Sequence, residues 1–167
     1  NASVFYSTPN EFSKEHRLLW LDVNADVERQ WSKKWKTILL YSMQQRDNYG
    51  ETITSHTVVG DVTYKIDRKK SLRLELQYLH SKEYEGDWIA GLLEFNIAPS
   101  WSVFASDMYN LGLTKVHYYN GGFSYTHNRT RVQLSYGRNR AGYVCSGGVC
   151  RYSPAYTGVS LMLTSSF

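Results

Sequence analysis

The side chains of this sequence with the most chemistry to offer are its histidines, aspartates and cysteines, and their spacing decides how much. His80, Asp87, Asp107 and His117 are of the types that general acid–base work needs. They fall at similar heights in their segments, and an outer-membrane enzyme of protease or acyltransferase type would require them to meet within hydrogen-bond reach. Nothing else supports them. The chain has no Gly-x-Ser-x-Gly elbow, no phosphate-binding Gly-rich loop and no cluster with metal spacing. His16, His56, His80, His117 and His127 keep no tight spacing with the cysteines, so neither a metal nor a cofactor is expected and the protein does not read as an enzyme. Cys145 and Cys150 flank Ser146-Gly147-Gly148-Val149. Central glycines permit a tight reversal that lets the sulfurs meet, so the expectation is a disulfide pinning a loop in an oxidising compartment. The closed ring is short, which keeps its stabilising effect modest.

Period two is the pattern that positions these residues, and it persists from about residue 17 to the end. Leu72, Leu74, Leu76 and Tyr78 alternate with Arg73, Glu75 and Gln77. Val132, Leu134 and Tyr136 alternate with Arg131, Gln133 and Ser135 in the same way. A helix would scatter those charges over several faces. The spacing predicts strands over 17–28, 35–44, 56–66, 72–80, 88–97, 101–109, 117–126, 131–140 and 155–167. Most run about ten residues, which crosses a bilayer at a tilt, whereas soluble strands are commonly nearer five or six. Residues 101–109 are ambiguous, because Trp101, Val103, Phe104 and Ala105 do not choose one face.

The connections alternate as well. Asp67–Lys70, Ala98–Ser100 and Asn128–Thr130 are tight, with Glu28–Lys34 a looser member of that set. Gln45–Ser55, Ser81–Asp87, Asn110–Val116 and Ala141–Pro154 are longer and polar. Short turns on one side and long loops on the other are what a bacterial outer-membrane barrel shows. Trp31, Trp35, Tyr64, Tyr125 and Phe167 fall toward the short-turn ends, and Tyr41, Tyr78, Tyr109, Tyr119 and Tyr136 toward the others, as two aromatic girdles would.

Composition agrees with this reading without proving it. Of 167 residues 42% are hydrophobic and 15% aromatic, yet mean hydropathy is only -0.47. Apolar runs are as short as Leu18-Leu19-Trp20-Leu21, far below the ~20 residues of a spanning helix. Alternating faces average out in a barrel, so the same value is compatible with membrane strands. The formal charge of +4 is spread along the chain, with no block of the kind that marks a nucleic-acid partner.

The fold expected is therefore all-β: an antiparallel up-and-down transmembrane barrel forming one domain over residues 1–167. The charges on the polar rows then face the lumen: Asp22, Asp26, Lys36, Asp61, Lys65, Arg73, Glu75, Glu94, Asp107 and Arg131. Opposite signs occur on neighbouring strands, and Lys65 is expected to lie diagonally across a hairpin from Glu75. Such charges satisfy a polar interior by pairing, or else bias a pore. The nine predicted strands are an odd number, which favours further strands before Asn1 and a chain that is the C-terminal portion of a larger barrel. The alternative is one more strand at Ala2–Ser7, with Thr8–Lys14 as a loop.

The closing strand, with Gly158, Leu161, Leu163 and Phe167, resembles the C-terminal signal that barrel-insertion machinery recognises; Ser165 departs from it, since an apolar residue is commoner there. Residues Gly137 through Cys145-Ser146-Gly147-Gly148-Val149-Cys150-Arg151-Tyr152 to Phe167 resemble the C-terminal end of a family of uncharacterised Bacteroidota outer-membrane barrels. Lys34-Trp35-Lys36-Thr37-Ile38-Leu39-Leu40-Tyr41-Ser42 is similar to that family too. The resemblance implies a location in the bacterial outer membrane, contact with its lipid and with other outer-membrane proteins, and no established activity. The expected role is a structural or interaction component of an outer-membrane assembly, or a passive pore. A soluble β-sandwich or lipocalin-like binder is the competing class, and it would require the apolar rows to face a core.

Overall fold

The computed structural model describes residues 2–6, 18–48, 51–83, 85–146 and 149–165, with the backbone alone for Asn48, residues 143–146 and residues 149–151. Every regular element among them is a strand. These are β1 (Ala2–Tyr6), β2 (Leu18–Gln30), β3 (Trp35–Asn48), β4 (Glu51–Lys65), β5 (Lys70–Ser81) and β6 (Trp88–Ile97). They continue as β7 (Trp101–Asn110), β8 (His117–His127), β9 (Thr130–Asn139), β10 (Gly142–Ser146), β11 (Val149–Ser153) and β12 (Tyr156–Ser165). Ten of them form one antiparallel sheet in the order β1 to β9 and then β12, while β10 and β11 make a separate hairpin. No ladder joins the edges β1 and β12 among the described residues.

All nine expected strands are present with bounds close to those predicted. Ala2–Tyr6 adds a tenth, paired from Ala2↔Val23 to Tyr6↔Leu18. Two expected long loops turn out otherwise. Gln45–Ser55 continues the β3–β4 ladder out to Asn48↔Glu51, because Gln, Thr, Ser and Arg at both edges pair as readily as apolar residues once both faces are wet. Ala141–Pro154 contains the β10–β11 hairpin, in which Cys145 and Cys150 are Cα partners. Their side chains lie outside the described residues, as does Phe167.

The register sorts every side chain to one of two faces, and the sorting is by polarity. Asp61↔Glu75 and Thr63↔Arg73↔Glu94 run across one face; Val62↔Leu74↔Leu93 run across the other. All eight buried residues among those described (Ser42, Asp61, Ser81, Trp88, Asn110, Ser124, Ser135 and Gly137) stand on the polar face, and Trp88 carries the one large apolar side chain among them. On the opposite face Leu39 is 58% exposed, Leu76 56%, Val103 49% and Leu161 71%. A single-layer sheet has no partner layer to shelter one face, so the sheltered rows mean that it curls toward its polar side. Contacts that skip strands agree. Trp88 on β6 lies 6.0 Å from Tyr118 on β8, centroid to centroid, and Arg140 beyond β9 sits 4.9 Å over the Trp88 ring.

Two glycines permit the closest approaches on that curled side. A Cβ at Gly122 would lie 2.3 Å from the Leu134 carbonyl oxygen, and one at Gly137 2.4 Å from that of Tyr119. Any larger residue would push β8 and β9 apart, which is how glycine allows a sheet to bend.

Candidate functional site

The polar face carries the charged residues the sequence singled out, with one exception. Asp22, Asp26, Lys36, Asp61, Lys65, Arg73, Glu75, Glu94 and Arg131 share it through an unbroken chain of ladder partners. Asp107 does not. It pairs between Gly91 and Tyr119, on the apolar face with Trp101, Val103, Ala105 and Tyr109. The expectation failed because β7 carries apolar residues on both faces, and only its register with β6 settles which row looks which way.

At mid-height the carboxylates are held by one guanidinium and by neutral hydrogen-bond donors. The guanidinium of Arg73 donates through Nε to Asp61 Oδ2 at 2.5 Å and through a terminal nitrogen to Glu75. Gln77 donates to the other Glu75 oxygen, and Thr63 Oγ1 donates to Asp61 Oδ1 at 3.4 Å. Glu94 accepts from Asn96 Nδ2 at 2.6 Å. Toward β2, Asp22 accepts from Asn24 at 2.9 Å and Lys36 pairs with Glu28 at 2.9 Å. Lys65 stands opposite Ser71 instead of meeting Glu75, whose cation is Arg73. A guanidinium fork suits two carboxylates better than a lysine point charge does.

The long-loop end is tied by its own network. Asn110 is fully buried and donates from Nδ2 to the carbonyls of Glu85 at 2.8 Å and Asp87 at 3.4 Å, while its Oδ1 accepts from the Thr114 amide at 2.8 Å. Arg46 pairs with Glu83, and Arg140 with Glu85. His80 and Asp87 meet at 2.8 Å, and His117 and Asp107 at 2.6 Å. The four acid–base candidates thus form two separate pairs, each beside its own hairpin, with no contact joining one pair to the other. Tyr78 donates to Asp87 Oδ2 at 2.8 Å, and that bond, ahead of those from the Ser81 amide and His80, holds the Asp87 carboxyl below the usual aspartate range.

At the short-turn end a cavity of about 800 Å³ opens between the turns and the ends of the polar rows. Lys33 and Lys34 reach it from the β2–β3 turn, Lys65 from β4, Arg68 and Lys69 from the β4–β5 turn, Lys70 from the start of β5, and Arg131 from β9. Asp67 and Glu94 are its carboxylates. Asp67 Oδ1 accepts from the amides of Lys69 at 2.7 Å and Lys70 at 2.9 Å, chiefly the former of which keeps its carboxyl below the ordinary range. The sequence reading passed over five of these cations as turn residues. The available signal was two basic runs, Lys33-Lys34 and Arg68-Lys69-Lys70, in consecutive short turns that must emerge at one end.

Aromatic residues gather on the apolar face near both ends. Trp35 packs tilted against Tyr64 at 4.5 Å and Trp101 against Tyr125 at 4.8 Å, centroid to centroid; at the other end Tyr109 meets His117 at 4.2 Å and Tyr119 meets Tyr136 at 6.5 Å. Gly158, Leu161 and Leu163 lie on β12, with both leucines on the apolar face.

Fold and site together define an all-β protein built as one antiparallel sheet of ten strands, polar on its sheltered face and apolar on its open one. The chain belongs to the family of unknown function DUF6029, whose pattern it matches over residues 3–167. No curated protein and no solved structure matches it.

Proposed function

We propose that this protein is an outer-membrane β-barrel whose apolar rows meet lipid and whose polar rows line a lumen, serving as a structural or interaction component of an outer-membrane assembly. The observation that carries the reading is the inverted burial: serines, an aspartate and an asparagine are sheltered while leucines and valines are open. In water such a chain would lack the apolar burial that drives folding, whereas a hydrocarbon environment suits it. A sandwich would need a second layer over the apolar rows, and the described residues form one sheet and a small hairpin. The two aromatic belts suit headgroup zones. β12, with Leu161 and Leu163 outward, suits recognition by barrel-insertion machinery, and the likeness to Bacteroidota barrels supports that envelope.

The interior favours the structural role over a selective filter, since Arg73 is satisfied by Asp61 and Glu75 instead of being left to passing solutes. A passive pore is the second reading, and the cavity at the short-turn end is what favours it. The primary test is migration of the membrane-extracted protein on gels with and without boiling. Heat-modifiable mobility is the expected result, and recovery in the soluble fraction with unchanged mobility would remove the barrel. Leu74, 41% exposed on the apolar face, gives the finer test. Leu74→Arg should destabilise the detergent-folded protein by about 2–4 kcal/mol, and unchanged stability would reverse the two faces. Planar-bilayer conductance separates the pore from the closed barrel.

A further inference from the structure

The charges of this molecule are distributed unequally along the strands. The cavity at the short-turn end gathers seven cations and two carboxylates, a local excess of five. The whole chain carries only +4, so everything outside the cavity sums to -1. No ion pair within 4 Å involves any of the seven cations among the described residues, whereas Arg46, Arg73 and Arg140 are all paired. The two carboxylates offset only two of the seven charges, and their hydrogen bonds go to neutral donors: Asp67 accepts backbone amides and Glu94 accepts the Asn96 side-chain amide. A concave wall with one sign of charge focuses its field and concentrates counter-ions. The volume of about 800 Å³ lies within the range of small-molecule sites.

We infer that this cavity is an anion-binding vestibule for soluble, multiply charged phosphate-bearing ligands. Soluble ligands are favoured over lipid phosphate because Lys65, Ser71, Ser124 and Arg131 reach the cavity from the polar face, away from the rows proposed to meet lipid. Ser71, Ser102 and Thr126 add neutral hydroxyl donors along the same wall. Lysines supply charge without fixed geometry, so the site should rank ligands by charge more than by shape. Anion binding rests on the cavity itself, while the choice of a soluble ligand over lipid phosphate rests on the proposed membrane placement, whose failure would appear separately in the gel-mobility test.

The experiment is calorimetric titration of the folded full chain in zwitterionic detergent with tripolyphosphate. Saturable binding is expected, weakening when salt rises from about 0.05 to about 0.5 M. Lys65→Gln with Arg131→Gln should weaken it at least tenfold, while Arg46→Gln, at the other end, should leave it unchanged. Lys33→Gln with Lys34→Gln, confined to a turn, gives the same reading if the first pair disturbs folding. Absence of saturable heat, or equal affinity in wild type and both double variants, overturns the inference. A repeat in bilayers of phosphatidylcholine and of phosphatidylglycerol separates the sources. Equal binding in the two supports a soluble ligand; loss only in phosphatidylglycerol overturns it and assigns the cations to lipid phosphate.

Discussion

The two ends of the sheet treat charge in opposite ways. At the long-loop end each cation named has a carboxylate, Arg46 with Glu83 and Arg140 with Glu85, and a fully buried amide ties the loops together. At the short-turn end the turns are tight, the carboxylates are engaged by neutral donors, and the cations stand without ion-pair partners. The first arrangement contributes rigidity. The second leaves a local excess of positive charge around the cavity. Electrostatics can thus serve stability and recognition within one sheet, provided the two are kept a strand length apart.

The sharpest way to break this contrast is at Asn110. Asn110→Leu should cost about 1–2 kcal/mol, because it removes the hydrogen bonds that a fully buried amide makes to the Glu85 and Asp87 carbonyls and leaves the Thr114 amide without its acceptor. Thermal unfolding in detergent and protease sensitivity of residues 111–116 would read it, and a neutral result would show that the loops are held by something else. Arg140→Gln should cost far less, roughly 0.5 kcal/mol, since the pair it breaks is half-exposed and screened. The smallest effect is expected at the short-turn end. The lowered Asp67 carboxyl means its grip on the turn is fully present above the ordinary aspartate pKa and is lost only as pH falls through the depressed value. Protection of the Lys69 and Lys70 amides, corrected for the intrinsic pH dependence of exchange, should therefore stay constant from neutral pH down to the ordinary aspartate pKa and fall as pH drops from there through the depressed value. Asp67→Ala should abolish that transition with no change in the ladders. An unchanged profile in the variant would mean the side chain does not hold the turn.

Much of this fold was legible in the sequence because the period-two pattern is redundant: nine strands repeat the same alternation, so errors in one are corrected by its neighbours. Legibility ended where that signal ended. The outer halves of β3 and β4 are polar on both faces, and alternation vanishes there although the ladder continues. The Gly147-Gly148 dipeptide between Tyr143-Val144-Cys145 and Val149-Cys150-Arg151 did mark a hairpin, but the reading spent it on the disulfide alone. Asp107 was misplaced because a row of charge is only a row once the register is known. The cationic vestibule was missed for a different reason. Its members come from separate turns and separate strands, and the one signal in the chain, basic runs in two consecutive short turns, points to a shared end and says nothing of Lys65 and Arg131.

The strand order has a kinetic consequence. Eight of the nine ladders in the main sheet join strands consecutive in sequence, and the ninth, β9 with β12, passes over only one short hairpin. Each new strand therefore finds its partner just laid down beside it, so the loop-closure entropy of every step is that of a local reversal. Greek-key sheets of similar size must search for distant partners before any reward arrives. This sheet can instead grow from either edge like a zip, and the β10–β11 segment hangs outside that growth as a piece that can be lengthened, shortened or exchanged without shifting a single rung.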